Sequence, residues 1–165
     1  MSLPQNKINF EEAKKKCEAL IHRIKSEEKA IYDILSNYES HQVIKDEIER
    51  SQKCLENISI EKDYFHGALI KSISTFFPLN LPLYSTVLFA IVPSFFTKNL
   101  YLRPPILIRG VIEQLFKTLG IKLIFSNINK FEMERSEFVS NYVSSSNVVI
   151  FTGTYKNALE LKNKL

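Results

Sequence analysis

Glycine is scarce in this chain of 165 residues, with only Gly67, Gly110, Gly120 and Gly153. No G-x-G-x-x-G fingerprint and no G-x-x-x-x-G-K-[ST] loop can be assembled from them, so the standard glycine-rich phosphate cradles are excluded. Cysteine is scarcer still. Cys17 and Cys54 are the only two, too few for a disulfide framework, and they fit a reducing, cytoplasmic setting. Aspartate is missing after Asp63. No apolar run reaches the ~20 residues that a bilayer span needs. The longest, Leu81 to Phe96, is interrupted by Pro82 and Pro93, which makes it a buried core helix and not a membrane segment. Met1 to Phe10 lacks the apolar centre of a signal peptide. His22, His41 and His66 form no pair with metal-ligand spacing, so no metal is expected.

What is present is ordinary globular composition, 45% apolar and 24% charged, which rules out a disordered chain. The net charge of +4 is unevenly spread. Residues 1–66 carry 11 basic and 13 acidic side chains, whereas residues 67–165 carry 11 and 5. A composition break therefore falls near Gly67. The basic second part suits an anionic ligand, a nucleic acid or a phosphorylated cofactor, and equally a plain solvated surface. Its cations are scattered and not interleaved with aromatics, so nucleic acid ranks last among these partners.

The first 60 residues read as helices. Phe10, Ala13, Cys17, Leu20, Ile21 and Ile24 recur at helical spacing, then Ile31, Ile34, Leu35 and Tyr38, then Val43, Ile44, Ile48, Cys54 and Leu55. Cys17 lies on an apolar face, as a small buried hydrophobe. Lys14-Lys15-Lys16 reads as the solvated side. After Gly67 short apolar runs alternate with helix-length segments. Strands are predicted at 69–77, 100–102, 121–125 and 147–151. Helices are predicted at 83–97, 106–119, 132–143 and 154–165, with Pro105 before and Gly120 just after the second. Alternating short apolar strands and helices imply an α/β fold: N-terminal helices, then a Rossmann-like parallel sheet with helices on both faces. The division is 1–66 as a helical segment and 67–165 as an α/β domain. Ligands of such sheets bind beyond the carboxyl ends of the strands.

Three segments fall at such ends. In Pro78-Leu79-Asn80-Leu81-Pro82, the amide of Asn80 sits in a proline-stiffened turn, where it either donates to a developing oxyanion or caps the next helix. Arg103, closing a short strand ahead of Pro104-Pro105, either holds a ribose or phosphate or is a surface arginine. In Phe151-Thr152-Gly153-Thr154, the glycine permits close backbone approach and the following helix favours pyrophosphate, or Thr152 or Thr154 simply caps that helix.

Taken in order, these segments resemble the cofactor-binding region of the aldehyde dehydrogenase superfamily, which carries P-W-N-F-P, G-N-x-V-x-x-K-P and F-T-G-S in succession. The likeness covers 70–165, and the preceding helices resemble those before that family's cofactor domain. The N-x-P-L and T-K-N segments also look like the fatty-acyl-CoA reductase branch. The resemblance implies that NAD or NADP is the cofactor, bound through Arg103, Thr152, Gly153 and Thr154. It implies that Asn80 helps to form an oxyanion hole. It also implies partners: a catalytic half carrying the glutamate base and cysteine nucleophile, or a second copy of the chain. The family's glutamate and cysteine come after F-T-G-S and do not appear before Leu165, so a fragment, a degraded gene product or half of a split protein is expected. Cys17 and Cys54 lie upstream of Asn80 and do not match the nucleophile. Leu79 stands for the family tryptophan, Arg103 for its lysine and Ile106 for a ribose-binding glutamate. These departures leave a rival reading, a non-catalytic interaction module that keeps the fold.

Overall fold

The computed structural model of the chain describes residues 8–58, 60 and 69–163. The expected boundary at 66/67, with His66 and Gly67, lies outside the described residues. Three amphipathic helices come first: α1 (Phe10–Ser26), α2 (Glu28–Leu35) and α3 (His41–Glu56). Asn9 caps α1 and Ser40 caps α3 through their side-chain oxygens, satisfying amides that a helix start leaves open. Most of the apolar positions read from the spacing are buried, namely Ala13, Cys17, Leu20 and Ile24 on α1, Ile31 and Leu35 on α2, and Ile44, Ile48 and Leu55 on α3, whereas Tyr38 lies past the end of α2 and is exposed. His22 and His41 are exposed.

The rest alternates strand and helix. β1 (Ile70–Phe76) leads to α4 (82–94), whose middle turn, Val87–Ile91, is a π-helical widening. Pro93 has no amide to offer the Phe89 carbonyl, and a widened turn is a known way to absorb such a break. β2 (Thr97–Arg103) follows, then a 3-10 turn (Ile106–Ile108), α5 (Arg109–Thr118), α6 (Ile121–Ile124), β3 (Ile128–Lys130), α7 (135–143), β4 (Val148–Phe151) and α8 (Tyr155–Lys162). The four strands form one parallel sheet in the order β3-β2-β1-β4.

Alternate residues of each strand face opposite layers. Ile73, Leu100, Leu102, Ile128 and Ile150 face the larger core, shared with α1–α6. Phe76, Tyr101, Val149 and Phe151 face a smaller, aromatic core with Phe138, Val139, Val143 and Leu161 from α7 and α8. Both faces are covered, as a parallel sheet requires. The run Leu81–Phe96 is thus folded against the sheet, and no described helix is long and apolar enough to cross a membrane.

The structure corrects two of these expectations. Residues 121–125, expected as a strand, form α6, and the third strand lies at Ile128–Lys130. Gly120, at φ +62°, ends α5 in the left-handed conformation and starts a new turn. Ile121 and Phe125 are buried while Leu123 is 84% exposed. That i, i+4 pattern is a helix face, because a strand would have put all three on one side. The short apolar run alone does not separate the two. The helix expected to run through Thr97 also stops at Ser94, and Thr97 opens β2.

Leu100, fully buried in the central strand β2, tests this layering. Leu100→Ala should lower the unfolding free energy by about 2–5 kcal/mol, read as a drop in urea midpoint with the slope unchanged. A loss below ~1 kcal/mol would place Leu100 outside a packed core.

Candidate functional site

Because all four strands are parallel, their carboxyl ends share one edge, and every predicted site residue lies along it, in a loop or at a strand's last residue. Asn80 follows β1, Arg103 ends β2, and Thr152, Gly153 and Thr154 follow β4. The loop after β3, residues 131–134, completes the row.

The turn after β1 is built by a strained residue and two glutamates. Leu81 sits in the left-handed region at φ 51°, a conformation that costs about 1–2 kcal/mol for a residue with a Cβ. Helix α4 begins at Pro82 with no side-chain cap from its own turn. Its open amides are satisfied from elsewhere: Leu81 N–H donates to Glu39 Oε1 at 3.2 Å and Tyr84 N–H to Glu47 Oε2 at 2.8 Å. Asn80 is therefore not the cap of α4. Its carbonyl accepts from Ser85 Oγ at 2.9 Å. Its side chain is exposed, and no hydrogen bond engages its amide among the described residues. It lines a cleft of about 490 Å³ with Tyr38, Glu39, Leu79, Pro82, Leu107 and Ile108.

Glu47 is 1% exposed. Burial, then a hydrogen bond to Glu39, push its carboxyl up to about 9, against the opposing pull of the Tyr84 amide. The remaining oxygens, Glu47 Oε1 and Glu39 Oε2, are buried and accept no bond from the chain. A proton held between these two oxygens would satisfy both, since a carboxylate as buried as Glu47 does not cheaply carry its charge beside a second one.

Across the edge, Arg103 is half-buried and donates from Nε to the Met133 carbonyl at 3.0 Å. Arg109 Nη2 donates to the same oxygen at 3.2 Å. Burial, then Arg109 and Arg135, lower the Arg103 pKa, with Glu134 opposing. Thr154 caps α8 by accepting from Asn157 N–H at 3.4 Å. Thr152, Gly153 and Thr154 are exposed, and a Cβ on Gly153 would meet the Phe151 ring at 2.8 Å. The five predicted residues thus share an edge but not a cavity. Asn80 lines its cleft without the others.

Sequence reasoning missed Glu39, Glu47, Arg109 and Arg135. Glu47 had a signal: it falls on the apolar stripe of α3 with Ile44, Ser51 and Leu55, all buried. Cys17 is buried and its thiol is pushed up to about 12, chiefly by burial and then by Cys54 and Glu18. A thiol so shifted is a poor nucleophile at neutral pH. Among the described residues no group of three or more His, Cys, Asp or Glu is placed to hold a metal ion.

No protein-family model matches the chain. No curated protein matches its sequence. In three dimensions it superposes on a solved aldehyde dehydrogenase, the substrate-bound state of Staphylococcus aureus AldH, with a TM-score of 0.70 over 98% of this chain. The chain has an aldehyde dehydrogenase-like fold. Sequence identity over that match is 16%, and the chain spans 40% of the length of AldH. The aldehyde dehydrogenase-like fold accounts for the helices ahead of the sheet as well as for the parallel order of its strands.

The shared proton has a consequence for stability. The Glu47 carboxyl holds its proton more tightly folded than unfolded, so its favourable contribution is complete below the ordinary carboxylate range. It fades as pH rises from about 4.5 towards about 9. Glu47→Gln can still accept from Tyr84 and can donate to Glu39 without a titrating proton. Urea midpoints measured at pH 5 and pH 9 should fall further for the parent chain than for Glu47→Gln. Equal falls would show that no proton is held there.

Proposed function

We propose that this chain is the NAD(P)-binding portion of an aldehyde dehydrogenase-like oxidoreductase, acting in aldehyde oxidation or acyl-thioester reduction. What carries the reading is the aldehyde dehydrogenase-like fold with Asn80, Arg103 and the 152–154 loop all at the carboxyl edge of its sheet, where ligands of doubly wound sheets bind. The donor set fits the cofactor: a half-buried arginine and the first amides of α8, ahead of the one that Thr154 caps, suit a phosphorylated anion. When bound, the nicotinamide supplies a hydride acceptor or donor. The chain's own residues bind and orient. Arg103 offers its remaining guanidinium nitrogens to the ribose or phosphate side. The 152–154 loop and the first amides of α8 face the pyrophosphate. Asn80, its amide unengaged and its turn stiffened by Pro78 and Pro82, donates to the oxygen that gains charge when a carbonyl is attacked. The nucleophile of the family mechanism is neither Cys17 nor Cys54, both of which lie on the N-terminal helices. The two thiols, in no disulfide, suit a cytoplasmic setting.

A second reading has one observation in its favour. Leu79, Leu107 and Tyr38 around the Asn80 cleft are 52%, 75% and 54% exposed, as in a module that docks a partner instead of a cofactor.

Fluorescence titration of the chain with NADH and NADPH separates them. Thr154→Asp is the control, because Asp caps a helix as well as Thr does while adding a negative charge where pyrophosphate would lie. Saturable binding, weakened at least about tenfold by Thr154→Asp, is expected, the equivalent of ~1.4 kcal/mol. No binding of either nucleotide at millimolar concentration would overturn the cofactor reading in favour of the docking module.

A further inference from the structure

The peptide between Asn80 and Leu81 is held from both sides. Its carbonyl, that of Asn80, accepts from Ser85 Oγ at 2.9 Å, and its N–H, that of Leu81, donates to Glu39 Oε1 at 3.2 Å. Ser85 is buried on α4, and its own amide donates to the Leu81 carbonyl at 2.7 Å. The hold on the carbonyl side is therefore built into the helix. The hold on the N–H side is a single carboxyl oxygen from another part of the chain. Leu81 sits at φ 51°, a backbone state that a residue with a Cβ leaves when its surroundings stop fixing it. Pro78 and Pro82 stiffen the two ends of the turn, so a rearrangement falls between them, on Leu79, Asn80 and Leu81.

The two carboxyls under this turn differ in freedom. Glu47 lies mid-way along α3, 1% exposed, and its Oε2 accepts from the Tyr84 amide at 2.8 Å. Glu39 lies in the short link between α2 and α3, is half-buried, and lines the cleft of about 490 Å³ together with Asn80. Each has one buried oxygen that accepts no bond from the chain, and two carboxyls hydrogen-bond each other only through a proton. Among the described residues, Glu39 is the charged group that acts on Glu47. Helix α4, packed over the pair, brings one titratable side chain, Tyr84. Helices α1 and α2 bury Leu20, Ile24, Ile31 and Leu35. On α3 itself, His41 is exposed against the Tyr32 ring and Asp46 accepts from Gln42. When the proton leaves, two carboxylates face each other with no cation between them, and they repel. Glu47 keeps the Tyr84 amide and has no path to water. Glu39 has one, through the cleft it lines.

We propose that Glu39 and Glu47 form a proton-operated latch on the Asn80 turn, closed while a proton bridges the two carboxyls and opened by its loss, when Glu39 swings into the cleft and frees the peptide between Asn80 and Leu81. The latch is closed at acid and neutral pH and opens as pH rises towards about 9. The opening is local: Glu47 stays on the Tyr84 amide, so α4 keeps its start while the Asn80 side chain loses its fixed position. The latch stands on these contacts and does not depend on what the edge binds.

The full chain, isotopically labelled at its amides and its glutamate carboxyls, is followed by nuclear magnetic resonance from pH 5 to pH 10. One glutamate carboxyl should titrate far above the ordinary carboxylate range. The Leu81 amide and the Asn80 side-chain amide should shift with the same midpoint. Above it the Leu81 amide should lose at least about tenfold of its protection from exchange, while Tyr84 keeps its own. In Glu47→Gln, where an amide N–H replaces the shared proton, these shifts should be absent up to pH 10. Glu39→Ala removes the acceptor from Leu81 at every pH and should give the open-state signals already at pH 5. Glu39→Gln, able to accept from Leu81 and donate to Glu47, should restore the closed ones, which separates an open latch from lost folding. A carboxyl that titrates high while Leu81 and Asn80 stay still overturns the latch and leaves the shared proton standing. A shift that persists in Glu47→Gln overturns it too, because another group then moves the turn. Loss of Tyr84 protection together with that of Leu81 overturns a local opening. No glutamate titrating above the ordinary range overturns both latch and shared proton.

Discussion

The hydrogen bond from the Tyr84 amide to Glu47 is the contact on which the carboxyl edge of β1 depends. Helix α4 starts with a proline, after a left-handed leucine, and brings no cap of its own. Without acceptors from α3 and the turn before it, its first turn would bury open amides, at a cost of about 1–3 kcal/mol each. Glu47 and Glu39 supply those acceptors, so the N-terminal helices are part of the site's construction. The arrangement needs both carboxyls under one turn, and two buried carboxylates repel. Holding one of them protonated settles the conflict. The turn that presents Asn80 is thus tied to the two carboxyls as much as to its prolines.

The two faces of the sheet are unequal, and the inequality positions the charges. One face shares a large aliphatic core with six helices. The other packs a small set of aromatics under α7 and α8, with edge-on pairs such as Phe76 and Phe138 at 5.4 Å. A thin layer leaves strand-end side chains half open to solvent. Aromatic rings also offer a guanidinium a face to rest on. Arg135 therefore stays over the end of the sheet, where a thicker aliphatic layer would have expelled it.

Periodicity made most of this fold legible. The apolar faces of α1, α2 and α3 carry a period that only a helix satisfies, and the runs at β1 and β4 are read as strands from their short length and β-branched content. Residues 121–125 failed because four apolar residues in five satisfy helix and strand alike, and Gly120 decided the matter through its backbone. The site was legible only in part, for a physical reason. Positions at strand ends can be read from element order, so Asn80, Arg103 and Thr154 could be placed at the carboxyl edge in advance. Partnership between distant residues cannot: Glu47 and Tyr84 are far apart in sequence, as are Arg109 and Met133. An acidic residue on a mostly charged helix reads as solvated until the turn that covers it is in place. Thr154 shows the converse, since its capping bond is local and short motifs predict it directly.

The order of loops along the edge constrains what can bind. Across the sheet run the 131–134 loop, Arg103, the Asn80 turn and the 152–154 loop, following the strand order β3-β2-β1-β4. Neighbouring strands are ~4.8 Å apart, so the row is roughly 15 Å wide. Arg103 and Arg109 meet at the Met133 carbonyl towards one end, Arg135 lies over Phe76 and Phe151 towards the other with the α8 start, and Asn80 stands between. A single phosphate would engage the arginines and leave the rest of the row idle. A mononucleotide would reach little further. Only an extended ligand with anionic groups at more than one point would use the whole edge, which is what the proposed cofactor would require.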